Sequence, residues 1–135
     1  MFKINYKEIK KLAYQLSQLP AIEQVKAVEQ GIKPITILDR ANYIETNLPH
    51  IEFQLGRLNI WIFYRPETEN YAEKAKELLI NSSLADKRQA DYHIKLGKLL
   101  GYSNQEILDF VNNVESNYIG APVDESYIET MDPLQ

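Results

Sequence analysis

Between Ile51 and Tyr64 the hydrophobic pattern runs with a period of two, and this stretch limits the folds open to the chain more than any other. Ile51, Phe53 and Leu55 alternate with Glu52 and Gln54, Gly56-Arg57 offers a two-residue turn, and Leu58 to Tyr64 returns. Alternation on either side of a glycine-containing turn predicts a β-hairpin. From Ile60 onward the second strand is apolar on both faces, so both must be covered. Two strands alone are only marginally stable in water, which requires helices packed on the ribbon or a third strand joined to it.

The flanking segments carry helical periods. Tyr6, Ile9, Leu12, Leu16 and Leu19 recur at three- and four-residue steps and predict an amphipathic helix with lysines on its other side. Pro20 suits the first turn of a second helix with Ile22, Val25 and Val28 inward, and Gly31 is placed to end it in a left-handed cap. Residues 34–48 read in two ways, as a short helix opened by Pro34 with Leu38, Ala41 and Leu48 inward, or as a strand over Ile35-Thr36-Ile37-Leu38. The helix is the expectation, ended by Pro49.

After the hairpin, Pro66 and Thr68 introduce a helix that buries Tyr71, Ala75, Leu78 and Leu79 and closes at Asn81-Ser82-Ser83. Ser83 is expected to cap a further helix that buries Tyr92, Leu96, Leu99 and Leu100 and stops at Gly101. Ser103-Asn104-Gln105-Glu106 has the form of a capping box, flanked by Tyr102 and Ile107 at the spacing of a hydrophobic staple. Ile107, Phe110, Val111 and Val114 continue that helix. The expected fold is α+β, with about five helices packed around a small antiparallel sheet built on one β-hairpin. It forms one domain over residues 1–117, followed by an acidic, extended or mobile tail over 118–135.

Composition excludes several kinds of chemistry. The 135 residues are 44% hydrophobic and 25% charged, the balance of a globular chain with one core. There is no cysteine, hence no disulfide, thiolate zinc site or cysteine nucleophile. His50 and His93 lack metal-ligand partners at helical spacing, and no phosphate loop, serine elbow or dinucleotide fingerprint occurs, so neither metal nor cofactor is expected. Met1 to Lys7 lacks the apolar core of a signal peptide, and no apolar run approaches the ~20 residues of a membrane span. A cytoplasmic protein without membrane association is expected.

The net charge of -4 is unevenly placed: Asp124, Glu125, Glu129 and Asp132 lie in the tail without a basic residue, while residues 1–33 hold six lysines against three glutamates. That excess is small for a nucleic-acid footprint. Nucleic-acid binding through the lysine-rich first helix is therefore a third-ranked reading, and it predicts affinity that falls steeply with salt.

Two groups are candidates for ligand contact. His93 lies one helical turn before Gly97, where the missing side chain could leave a groove beside the imidazole. The plainer reading is that Gly97 admits a close helix and His93 is a hydrogen-bonded interfacial residue. Trp61, Tyr64 and Arg65, at the end of the inner strand, could form an aromatic and cationic patch for bases or carboxylates. The plainer reading is core filling by Trp61 and Phe63, with Arg65 solvated at the strand end. Carboxylate pairs such as Glu67/Glu69 and Glu73/Glu77 read as solvated helix faces. The turn at Gly101 also mimics a helix-turn-helix, but the helix that follows carries Glu106, Asp109 and Glu115 with no basic residue, which repels phosphate.

Gly31-Ile32-Lys33-Pro34 and His93-Ile94-Lys95-Leu96-Gly97-Lys98-Leu99-Leu100-Gly101-Tyr102, with the strands and a helix between them, resemble in their order the motifs of an uncharacterised prokaryotic family that is mostly archaeal. The similarity spans roughly residues 20 to 115. That family often continues with proline and a cysteine pair after the tyrosine, where this chain has Ser103-Asn104-Gln105. The resemblance implies the architecture, draws attention to His93 and carries no activity.

The leading expectation is a non-catalytic binding or regulatory protein that recognises a protein partner or small ligand through the ribbon and the His93 helix. The alternative is a small hydrolase or transferase with His93 as general base and a carboxylate orienting its ring. An exposed ribbon edge would favour a homodimer.

Overall fold

The computed structural model describes residues 21–39, 44–113 and 118–135. The expected first helix with its lysines, Ala41 and Val114 lie outside the described residues. Among those described are helices α1 (Ala21–Glu29), α2 (Glu69–Asn81), α3 (Ala90–Leu99), α4 (Asn104–Val111) and α5 (Glu125–Thr130). Strands β1 (Ile35–Asp39), β2 (His50–Leu55) and β3 (Leu58–Tyr64) form one antiparallel sheet in the order β1-β3-β2. The protein is α+β, as its periodicities predict, and the described residues hold five helices around a sheet built on the hairpin, α5 among them in a stretch where no helix is expected.

The central strand explains the two-sided apolar pattern. Ile60, Ile62 and Tyr64 face the larger core together with Ile35, Ile37, Ile51 and Phe53, against α2 and the helices that follow. Trp61 and Phe63 face the other way, onto a smaller cluster with Val25, Leu38, Ile44 and Leu48 under α1. Ile62 and Phe63, adjacent in sequence, are both essentially buried, one in each layer. Burial of side chains this size contributes about 2 kcal/mol each.

The described part of residues 34–48 holds a strand in place of the expected helix. Ile35 to Asp39 pair with Tyr64 to Ile60, because a central strand buried on both faces has a second edge whose backbone groups need partners. The β-branched run Ile35-Thr36-Ile37 suits that ladder better than a helix. In α1, Gly31 adopts φ 78° as expected and the Ile32 amide donates to the Ala27 carbonyl at 2.8 Å. Ile22, expected inward, is 56% exposed. Gln24 turns in instead, its Oε1 accepting from the Thr36 hydroxyl at 2.5 Å, so β1 and α1 share a buried polar contact.

The helix expected from Ser83 to Leu100 is broken. The Ser83 hydroxyl accepts from the Asp86 amide and the Asp86 carboxylate accepts from the Ser83 amide, both at 3.0 Å, which caps only a 3-10 turn over Asp86–Arg88. Gln89 is then extended and α3 starts at Ala90. The break exists because this backbone pairs with residue 119: Ile119 donates to the Arg88 carbonyl at 2.9 Å, and Ala90 donates to the Ile119 carbonyl at 2.8 Å. Downstream, Gly101 at φ 90° stops α3, and Ser103 with Glu106 forms the expected capping box on α4.

The same pairing overturns the extended course expected for residues 118–135. Tyr118 is buried, Asn112 brackets Val123 with hydrogen bonds of 2.7 and 2.8 Å to its carbonyl and amide, and α5 buries Ile128 completely. Lys98 Nζ donates to the Met131 carbonyl at 2.7 Å, and the Tyr127 hydroxyl donates to Asp91 at 2.6 Å. Acids dominate the stretch because Asp124, Glu125, Glu129 and Asp132 lie on its exposed side, not because it leaves the core. No helix among the described residues is long and apolar enough to cross a membrane.

Candidate functional site

His93 is 1% exposed on α3. Its Nε2 lies 2.8 Å from the Lys87 carbonyl, which can only accept, so Nε2 carries the proton and Nδ1 the lone pair. The ring stacks on Tyr118 at 4.2 Å and 24°, meets Tyr92 edge-on at 4.9 Å and tilts against Phe110 at 5.9 Å. Burial lowers its pKa to about 4, partly offset by the Lys87 carbonyl, so the imidazole is neutral at physiological pH. Nδ1 has no hydrogen-bond partner among the described residues. Among the described residues a carbonyl, and no carboxylate, orients the ring, so the carboxylate-held general base expected as the alternative is not assembled by them.

Gly97 makes no groove. A Cβ at that position would stand 2.9 Å from Ile107 Cγ1 and 3.1 Å from its Cδ1, so the glycine lets α4 press onto α3. His93 and Gly97 thus occupy the interfacial arrangement that was the plainer of their two readings.

The structure also separates the proposed aromatic patch. Trp61 and Tyr64, three residues apart on one strand, point to opposite faces of the sheet. Trp61 stacks under His50 at 5.3 Å and 21°, while the Tyr64 hydroxyl is raised by burial and by the charges of Glu69 and Glu73. Arg65 turns back into the chain: Nη1 donates to the Val28 carbonyl at 2.6 Å and the Lys33 carbonyl at 2.8 Å, and Nε donates to Glu67 at 2.9 Å. The guanidinium therefore ties the end of α1 to the exit of β3. Arg65→Ala should leave two carbonyls without this donor and cost about 2 kcal/mol, read as a lower urea midpoint at unchanged slope.

Sequence reasoning missed that Gly31–Pro34 and the end of α3 meet. Gly101 packs on Pro34, where a Cβ would lie 2.7 Å from the ring Cδ. Lys33 Nζ sits 5.6 Å from the centre of the Tyr102 ring, and burial lowers the lysine pKa to about 8. The Tyr102 phenol is pushed up by burial and then by Glu106. The Thr68 hydroxyl closes the junction by donating to the Pro34 carbonyl at 2.8 Å. Arg65, Thr68, Lys33 and Tyr102 thus fasten the hairpin exit to the helical layer. No local period links the two segments, so nothing within a window of a few residues signals that contact.

The outer edge of β2 is the second feature that the sequence left open. Tyr64 donates to the Pro49 carbonyl at 3.1 Å, so Pro49 faces β3, and alternation turns the backbone groups of His50, Glu52 and Gln54 outward. No described strand pairs with them. Their side chains are exposed, and Ile51, Phe53 and Leu55, on the core side of the same strand, are only half-buried. The edge runs six residues in unbroken register with β3, and it carries neither a proline nor a lysine within the strand. Those are two of the devices by which natural sheets blunt their edges, and Glu52 is the one carboxylate the strand places there. At the other end of the sheet β1 begins after Pro34, ends at Asp39 and lies partly under α1. Among the described residues there is no cluster of three or more histidine, aspartate and glutamate side chains able to hold a metal ion. Compared with known protein families, curated proteins and solved structures, the chain matches none.

Proposed function

We propose that this is a non-catalytic binding protein that accepts an extended segment of a protein partner along the β2 edge. The observation that carries the reading is the row of outward backbone groups at His50, Glu52 and Gln54, which no strand among the described residues pairs. In strand addition, main-chain hydrogen bonds supply affinity and the alternating side chains supply selectivity. Here the selective side chains are the half-buried Ile51, Phe53 and Leu55 on one face, and the exposed His50, Glu52 and Gln54 on the other. The hairpin suits this use because β3 is buried on both faces and the Lys33–Tyr102 and Arg65 contacts hold its exit. A rigid acceptor strand reduces the ordering cost of binding.

Extended peptides selected from a display library on the full chain provide the test. Binders should slow hydrogen exchange at the amides of His50, Glu52 and Gln54, and should be lost in Glu52→Pro. That proline removes only an outward amide and leaves the ladder with β3 in place. Binders that protect a different surface, or that hold equally well to Glu52→Pro, would sink the reading.

A further inference from the structure

Resting on the strand-acceptor reading, we propose that a second copy of this chain supplies the strand, β2 pairing antiparallel with β2 of its partner about a twofold axis through Phe53. The axis stands normal to the sheet and joins two three-stranded sheets into one of six.

Such an axis keeps the helical layer of both copies on the same side, so every cross-strand pair joins side chains that share a face. Centred on Phe53, the pairs are Phe53 with the partner's Phe53, Ile51 with the partner's Leu55, and Glu52 with the partner's Gln54. All the core-side pairs are apolar. They bring together Ile51, Phe53 and Leu55, which the isolated copy leaves half-buried. The exposed face joins one carboxylate to one amide, twice by symmetry. Glu52 and Gln54 are also residues whose backbone groups point outward, so each of their pairs can exchange two main-chain hydrogen bonds, roughly four in all.

The neighbouring registers are poorer. Centring on Glu52 sets that carboxylate directly against its own copy, a destabilising like-charge pair. Centring on Gln54 shortens the overlap and runs the ends into the turn at Gly56-Arg57, where Gly56 has φ 62°. A one-residue slip between unlike faces would place Glu52 against the partner's Phe53 and bury the carboxylate beside the apolar row. Charge and apolar matching therefore select the register through Phe53. A sequence this self-complementary, on an edge that no described strand pairs, suits closed twofold pairing, which leaves no β2 edge free for further growth.

Sedimentation velocity on the full chain over a concentration series tests the pairing. A reversible dimer is expected. Gln54→Lys should tighten it about fivefold, because the introduced ammonium then lies opposite the partner's Glu52, twice across the seam by symmetry. Gln54→Glu should loosen it by a similar factor. Position 54 is exposed, so neither change should disturb the fold. Glu52→Pro should give a monomer with an unchanged circular dichroism spectrum. A dimer that ignores both Gln54 variants, or that tightens in Glu52→Gln and not in Gln54→Lys, would overturn this register. A wild-type monomer that still captures selected peptides at β2 would overturn self-pairing and leave the strand-acceptor reading standing. A monomer that captures none removes both.

Discussion

Replacing Gly101 with alanine is expected to destabilise the protein by about 3 kcal/mol, combining left-handed backbone strain with overpacking. Gly101 sits at φ 90°, a conformation that a side chain disfavours. The added Cβ would also lie 2.7 Å from Cδ of Pro34, a ring carbon that cannot rotate away. To relieve the contact, the end of α3 must move from the Lys33-Pro34 segment, and with it goes the placement of Lys33 over Tyr102. Gly56→Ala separates the two contributions, because Gly56 has φ 62° with no other atom within 4 Å of the added Cβ. It should cost only about 1 kcal/mol. Urea unfolding of both variants checks the difference. Equal losses would mean that Gly101 matters only for its dihedral angle and that the junction with Pro34 contributes little.

The protein should also lose about 3 kcal/mol of stability on acidification from near pH 7 to near pH 4 through His93 alone. Burial lowers this imidazole from its ordinary value of 6.5 to about 4 in the folded state. Between those values the unfolded chain binds a proton that the folded chain refuses, so stability is complete above about 6.5 and falls as pH drops toward 4. Asp124 and Glu67, whose carboxyl groups are held low by hydrogen bonds, add their own losses further into acid. His93→Phe isolates the histidine contribution. It retains a ring against Tyr118, gives up the hydrogen bond to Lys87, and should flatten the pH dependence between 6.5 and 4 whatever its stability at neutral pH. Denaturation midpoints for the two proteins across that range decide the matter. Parallel curves would show that His93 titrates normally and that the packed arrangement opens in solution.

Signals confined to a few neighbouring residues were readable without the structure. The two-residue alternation around Gly56-Arg57 specifies β2 and β3 because each strand carries its own facing pattern. Gly31 and Gly101 mark helix ends because the left-handed cap is a property of single residues, and Ser103 with Glu106 encloses three amino-acid steps. Even the separation of Trp61 from Tyr64 was implicit, since an odd spacing on a strand divides the two faces.

What only the tertiary structure decided depends on partners far along the chain. Ile35 to Asp39 became a strand because β3 offered a second edge, and the helix expected from Ser83 broke because Gln89 pairs beside Ile119. The C-terminal stretch docks through Asn112, Lys98 and Tyr118, whose contacts follow no period that a sequence window could register. His93 is sealed by residues before and after it in the chain, which turned a candidate ligand contact into a buried, neutral ring. Local sequence determined the elements and their ends, because dihedral preference and side-chain periodicity act within a few residues. Tertiary structure decided strand identity and burial, because backbone groups and apolar faces are satisfied by whatever distant segment the fold brings to them.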